Sequence, residues 1–570
     1  MNLTTAIREQ VRRWVPLEDL LPDTLPAFVR SPAYFFGVIA LSSLALLIVT
    51  GIVLAAFGPQ WYHGDAVGRF TNSLHFWGAQ AFFFTLTLHL WTEFFKGSWR
   101  HGRRLTWVSG AITFVAGIGT AFTGYLSQTN FDAQWIAVQG KDAMNAVGIG
   151  AFFNLMNFGQ MYGFHILVLP LIVVFLVGAH LLQVRIRGVV RPYAAAVETE
   201  RTREERWGGP VDAGWSPWRA WFGRIRRRQP LTAGETPQRV LPSDQARYYR
   251  GVRMMPYDLV REGLIALLGI VVLIAVLSAV FSAPDDPPLT IQQYAQQNPI
   301  GFVTTATAEL AGTGTIAQYG PPYNHGTGSV QWLGPVSLQE LFGVHVPIDT
   351  AQTYVLQPLT IAARGDPVLA SALSTFNRAS AKQQGTWETA YTAALDKATA
   401  SAGHVTVPAG NYGPLSTMMD RLLVLGSSGA LDGLLVRSGG FYQNDFTRPL
   451  LFLSEDALPA KAQQLNLLGS QWGMMNETGN YPGQAWLWLY TFWYQIGPYN
   501  TSPNGDAFIW LTMAVLTAIL VFFPYLPYLN RLPYYLGVHR FIWREYYQDV
   551  RMRLAPTSAT QAGAGEPGTG

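Results

Sequence analysis

Cysteine is absent from all 570 residues, which excludes disulfides, thiolate zinc sites, iron–sulfur clusters and thioether-linked haem. Any metal or cofactor must be held by histidine, methionine, carboxylate or backbone. Charge is scarce as well. Asp, Glu, Lys and Arg make up 13% of the chain, about half the share of an ordinary globular protein. Nor does the start look like a cleavable signal peptide. Residues 1–30 hold three prolines and lack a short apolar core with a small-residue cleavage site. What the chain does have is apolar runs longer than about 18 residues, the length that crosses a bilayer core of about 30 Å. A purely soluble protein is thereby excluded, and no nucleic-acid partner is expected.

Six segments read as membrane-spanning helices, at about 33–57, 70–95, 105–127, 160–184, 259–282 and 506–528. A seventh apolar stretch, 484–498, is short and rich in Trp and Tyr, which suits the membrane interface better than a crossing. Charge sets the orientation. Lys96, Arg100, Arg103 and Arg104 crowd one loop, and fifteen arginines fall in 185–255, whereas 283–483 holds only eight Lys or Arg. Positive-inside reasoning puts the first two regions in the cytoplasm and the third outside, with both termini cytoplasmic in a multi-pass protein of a prokaryotic cell membrane. The expected organisation is an amphipathic N-terminus (1–30), a four-helix core (31–192) and a basic connector against lipid headgroups (193–255). A fifth helix (256–283), a mixed extracytoplasmic insert (284–483), an interfacial segment with the sixth helix (484–530) and a cytoplasmic tail (531–570) follow. Within the insert, 367–402 reads as helical, and the Gly- and Ala-rich chain end reads as disordered.

Histidines carry the chemistry. His75 and His89 lie 14 residues apart in the second helix, and His165 and His180 lie 15 apart in the fourth. At 100° per residue each pair falls within about 40–60° of one face, and its members are about 21 Å apart along the axis. Two such helices side by side offer His–His pairs at two depths. Each pair can ligate a haem iron from both sides, and an iron without an open position serves electron transfer. On parallel helices His75 meets His165 and His89 meets His180. A single intramembrane histidine could be a packing residue; four at matched depths point to function. Gly37, Gly51, Gly110 and Gly124 repeat the 14-residue spacing in the first and third helices. They leave room for flat macrocycles, although small residues also serve close helix packing.

These features resemble cytochrome b, closest to its chloroplast and Gram-positive branch. Ser73-Leu74-His75, Leu88-His89, the run Arg104 to Gly110, Phe122-Thr123-Gly124-Tyr125 and Leu169-Pro170-Leu171 stand in that family's order. So does the exit from His180-Leu181-Leu182 through Arg185 to Gly188 and Pro192. The resemblance is good over 30–192 and thinner beyond, resting on Pro256-Tyr257-Asp258-Leu259 and Pro524-Tyr525-Leu526. It implies an all-α polytopic membrane protein, with a four-helix dihaem core plus two further transmembrane helices. It also implies two b haems, the low-potential one on His75 and His165 and the high-potential one on His89 and His180. Arg185 matches a basic residue beside the inner haem, and Asp258 an acidic residue near the inner quinone pocket. Menaquinone or ubiquinone would be the substrate and a homodimer one possible assembly.

Departures from the family pattern are also expected to matter. The branch's cysteine for an extra haem falls at Phe35, so no haem is covalently attached. Family arginines beside the first histidine are replaced by Asn72 and Phe76, leaving Arg69, Arg100, Arg103 and Arg104 as candidate partners for haem propionates. In the outer quinol pocket the family's Leu-Pro-Trp is Leu126-Ser127-Gln128, and its Pro-Glu-Trp-Tyr finds only Pro482-Gly483-Gln484-Ala485-Trp486, without the carboxylate. His325, His345, Glu455 and Glu477 are the insert's candidate proton acceptors.

Two electron-transfer roles follow. The chain is either the cytochrome b of a bc-type quinol oxidoreductase, with a Rieske protein and cytochrome c, or a quinone-linked cytochrome for another external enzyme of nitrate-reductase-like type. A transporter or scaffold that keeps the four-helix core is the different-class alternative. It would need a charged or broken helix at the bilayer midplane.

Overall fold

A computed structural model describes residues 2–11, 21–193, 249, 252–281, 285–437, 444–465, 467–468 and 484–554. Nearly all of the expected basic connector, Glu477 and the Gly- and Ala-rich end lie outside the described residues.

Six long helices form the core: α1 (Phe36–Phe57), α2 (Ala66–Phe95), α3 (Arg104–Leu126), α4 (Phe158–Arg187), α5 (Leu259–Phe281) and α6 (Gly505–Phe522). Among the described residues five helices, all of these but α2, are both long and apolar enough to cross a membrane. Helix α2 has 30 residues, about 45 Å of helix, but Asn72, His75, Gln80, His89 and Glu93 make it too polar to qualify. The expected six spans are thus five by apolarity and one by length. The polarity that sets α2 apart belongs to the residues with the chemistry. Large apolar side chains point outward from the other helices, including Ile52, Leu171, Phe175, Leu268 and Val515, all at least half exposed. A water-facing surface would not carry such a belt, and lipid accepts it.

Helix α1 packs along α2 and α3 along α4, while α5 lies against α1 and α2, and α6 against α3. Asp65 opens α2 by accepting from the backbone N–H groups of Val67 and Gly68. Gly188, at φ 74°, closes α4 in a backbone region that side chains avoid. At that end Arg103 donates to the carbonyls of Arg187, Gly188 and Val189, and Arg100 to those of Gly97, Lys96 and Arg191. Two of the arginines expected to compensate for the lost family arginines therefore close helix ends. An apron of Phe28, Tyr193, Tyr249 and Trp543 covers this side. The strand Thr24–Pro26 pairs antiparallel with Met254–Pro256 and ties the N-terminal segment to the start of α5.

The insert, expected to be mixed, is helical where described, with a single hairpin pairing Thr399–Ser401 with His404–Thr406. Its Gly- and Pro-rich stretches separate short helices rather than strands. Side-chain caps at Thr290, Ser337, Asp366 and Ser380 start those helices. The expected helical stretch resolves into Pro367–Arg378 and Ala381–Leu395. The boundary also shifts. The α3–α4 connection forms a helix, Phe131–Ala146, whose Phe131, Trp135 and Ile136 share one buried core with Phe302, Leu422 and Phe452 of the insert. The Trp135 indole donates to the Leu467 carbonyl at 2.9 Å. The α3–α4 connection, expected as part of the 31–192 core, thus packs with the insert.

Glu309 is fully buried in this domain, and burial beside the Glu455 carboxyl pushes its pKa up to about 8. Such a group holds its proton more tightly when folded. Its contribution to stability is complete below about 4.5 and lost as pH rises toward 8. The thermal midpoint should fall between about pH 5 and pH 8, and less steeply in Glu309→Gln, as followed by thermal denaturation at each pH. Equal slopes in the two proteins would contradict this.

Candidate cofactor site

The four histidines project from α2 and α4 toward one another. The rings of His75 and His165 lie with centroids 6.0 Å apart and planes at 89°. A metal–imidazole bond is about 2 Å long, so rings on opposite sides of one ion sit with centroids roughly 6 Å apart. The pair thus has the separation of two axial ligands. Among the described residues no group of three His, Asp or Glu side chains converges to hold a bare ion. Two imidazoles leave such an ion short of ligands, and a macrocycle supplies the remainder. The donor set therefore fits haem. Further along the same helices, His89 and His180 both lie within electrostatic range of Glu93, so the pairing follows position along parallel helices.

The second ring nitrogen decides which nitrogen can face a metal. Nδ1 of His75 lies 2.9 Å from the Thr50 hydroxyl, Nδ1 of His165 is 2.9 Å from the Thr120 carbonyl, and Nδ1 of His180 is 3.2 Å from the Ser109 hydroxyl. In these three the Nε2 atom is left for a metal. Thr50, Ser109 and Thr120 were not expected from the sequence. A signal for two of them is present: a hydroxyl residue stands directly before the glycine in Thr50-Gly51 and Ser109-Gly110.

The glycines sit where the spacing places them, but they make room for imidazole. A Cβ at Gly37 would lie 3.1 Å from His89 Cε1, one at Gly51 3.2 Å from His75 Cε1, and one at Gly110 3.1 Å from His180 Cε1. At Gly124 it would come within 2.4 Å of His165 Cε1. Each of the four glycines faces one of the four histidines across the helix interface.

The unequal spacing has a local cause. Phe164–Val168, which includes His165, is a π-helical turn inside α4. Such a turn takes up one additional residue without rotating the flanking helix. The 15-residue interval on α4 thus behaves as the 14-residue interval on α2, and the two histidine pairs stay in register.

A cavity beside His75 and His165 is lined by Tyr62, Asn72, Phe76, Tyr125, Gln128, Tyr162, Gln484 and Trp486. The segment most similar to the family's outer-pocket motif therefore does reach this wall. Gln484 is buried and accepts from the Gln80 amide, and Trp486 packs against Phe83 and Tyr125. Asn72 and Gln128 exchange hydrogen bonds through their side-chain amides at 3.1 and 3.2 Å. Among the described residues no carboxylate lines the cavity. His325, His345 and Glu455 do not line it either, and Glu455 instead accepts from Thr315 and Ile316 within the insert.

The other two expected site residues stand at helix ends. Arg185 lies near Tyr249 and Glu262 of α5. Asp258 accepts from the Thr4 hydroxyl and from the backbone N–H groups of Leu3, Thr4 and Arg261, joining the short N-terminal helix Leu3–Val11 to the start of α5. Although desolvation opposes it, these bonds hold its carboxyl down at about 2. A capping role accounts for all of these contacts, and none of them involves the inner histidines.

Comparison with known proteins agrees with this geometry. Residues 80–288 match the family described as cytochrome b (N-terminal)/b6/petB, a span that includes His89, His165 and His180. Cytochrome b6 of Heliobacterium mobile is 27% identical over 197 residues, covering 31% of this chain and 92% of that protein. The cytochrome bc complex cytochrome b subunit of Chlorobaculum thiosulfatiphilum is 29% identical over 199 residues, 31% of this chain and 46% of that one. The menaquinol:cytochrome c reductase cytochrome b subunit of Geobacillus thermodenitrificans is 26% identical over 182 residues, 28% of this chain and 81% of its own length. Together with the membrane helices and the paired histidines, the match over residues 80–288 and these relatives support a cytochrome b family of the bc and b6f type, a family that implies b-type haem.

Proposed function

We propose that the chain carries two b haems, one between His75 and His165 and one between His89 and His180. Through them it passes electrons across the membrane between a quinone pool and an extracytoplasmic redox partner. The observation that carries this reading is the perpendicular His75–His165 pair, at axial-ligand separation and with each Nδ1 held by an oxygen. Bound between such pairs, haem supplies reversible one-electron transfer. The protein's part would be to fix the rings of both pairs, to offer two imidazoles to each haem, and to hold the two sites about 21 Å apart along the helices. Reduced-minus-oxidised spectra of the purified protein, with a haem count per chain, test the reading. A b-type band with two haems supports it, and absence of the band overturns it.

The redox partner outside is the finer question. A bc-type role, with a Rieske protein and cytochrome c, is supported by relatives named as subunits of a cytochrome bc complex and of a menaquinol:cytochrome c reductase. Gln484 favours the second role, service to a different external oxidoreductase. Quinol oxidation at the outer pocket needs a proton acceptor, and an amide at that place is not one. Insensitivity to outer-site quinol inhibitors and the absence of a co-purifying Rieske protein are the expected results. A Rieske subunit in the preparation would return the chain to the first role.

The orientation read from charge puts the insert outside. Because the native chain lacks cysteine, a single introduced thiol reports its side cleanly. Thr399→Cys, on the exposed hairpin, should react with a membrane-impermeant maleimide in intact spheroplasts. Labelling only after lysis would reverse the orientation.

A further inference from the structure

Three of the four histidines have an oxygen on Nδ1, and the fourth does not. The Nδ1 of His89 is buried and has no hydrogen-bond partner. Its facing glycine is preceded by Phe36, where the glycines facing His75 and His180 follow Thr50 and Ser109. A carboxylate oxygen lies one turn further along α2: Glu93 Oε1, 3.9 Å from His89 Nδ1. Residues i and i+4 share a helix face, so a small ring rotation closes the remaining distance. The carboxylate is itself held in place. The ammonium of Lys96, fully buried, lies 2.5 Å from the same oxygen and 3.9 Å from the centroid of the Tyr34 ring. A buried ammonium is stable only beside an opposite charge, so Lys96 fixes the Glu93 carboxyl in place.

We propose that Glu93 is the positioning residue of the inner pair, accepting the Nδ1–H of His89 and thereby turning Nε2 toward the iron. This rests on the reading of His89 and His180 as haem ligands. A ligating histidine whose other N–H meets a carboxylate is a more electron-rich donor, and its orientation is fixed. The inner haem should consequently be harder to reduce than it would be with a neutral partner on His89. The competing explanation is that Glu93 serves only to neutralise Lys96.

Redox titration of the purified holoprotein, with both haem components resolved, separates the two explanations. Glu93→Gln should move one component about tenfold toward the reduced state, about 59 mV for a one-electron couple, and leave the other in place. Glu93→Asp should bring that component most of the way back to its native potential. Thr50→Val, which removes the partner of His75, should move the other component. The charge-balanced double variant Glu93→Gln, Lys96→Met removes the ion pair as a unit, and it should keep the shift. A double variant that titrates like the native protein overturns the proposal, because neutralising Lys96 is then the whole role. So does a Glu93→Gln shift in the component that Thr50→Val moves. If Glu93→Gln binds no inner haem, the double variant decides by the same criterion. A native protein with no b-type haem at all would instead overturn the reading of the histidines.

Discussion

His75→Ala should yield a folded membrane protein with about one haem per chain instead of two. Its remaining ring partner, His165, is fixed by the Thr120 carbonyl and cannot fill both axial positions. A b haem on one imidazole is five-coordinate, high-spin and weakly held. The second site draws its ligands from the other ends of α2 and α4 and from glycines on α1 and α3 that face only its own rings. Its haem should therefore remain, with its absorbance and potential close to native. His89→Ala should give the mirror result. Haem per chain by pyridine haemochromogen, with spectra of each variant, checks both. Loss of both haems in each variant would show that the two sites are not independent.

The second large effect is expected from a single methyl group. An alanine Cβ at Gly124 would lie 2.4, 2.8 and 2.9 Å from Cε1, Nδ1 and Nε2 of His165. Such distances cannot stand, and the ring is not a free end that can swing away. Gly124→Ala must shift the ligand or part α3 from α4. Overpacking of this kind costs about 1–3 kcal/mol, and here the displaced atoms are those that would meet the iron. Haem at the outer pair should fall to a small fraction of native occupancy. Gly119→Ala, on the same helix with nothing within 4 Å of its Cβ, should keep full haem content. Gly37→Ala, Gly51→Ala and Gly110→Ala, with nearest approaches of 3.1–3.2 Å, should fall between. Equal haem content at Gly119→Ala and Gly124→Ala would contradict the assignment of the glycines as seats for the histidine rings.

Much of this site is legible in the sequence because helical geometry is periodic. The spacings of the histidines and glycines fix faces and depths before any contact is known. What they do not reveal is how an interval of 15 is made equivalent to one of 14. That depends on a π-helical turn at Phe164–Val168, which apolar periodicity does not mark. Hydropathy likewise identifies five helices and undervalues α2, since polar groups that face the inside of a bundle count against a span when read one residue at a time. The anchors on Nδ1 escape notice for a different reason. Thr120 acts through its backbone carbonyl, which any residue possesses.

The insert was the least legible part. Its turn-forming residues separate short capped helices as readily as strands, and it recruits Phe131–Ala146 from across the chain, a partnership no local pattern announces. Asp258 shows a related limit, since its hydrogen bonds to Leu3 and Thr4 span 255 and 254 residues of the chain, beyond the reach of any local pattern.

The central claim is that four histidines hold two six-coordinate haems. Electron paramagnetic resonance of the oxidised, purified protein tests it most directly, by counting low-spin ferric centres per chain. The account predicts two. One of them should be strongly anisotropic, because perpendicular axial rings like those of His75 and His165 leave the iron's two π-type orbitals nearly equal in energy. A single low-spin centre, or mainly high-spin iron, would contradict it.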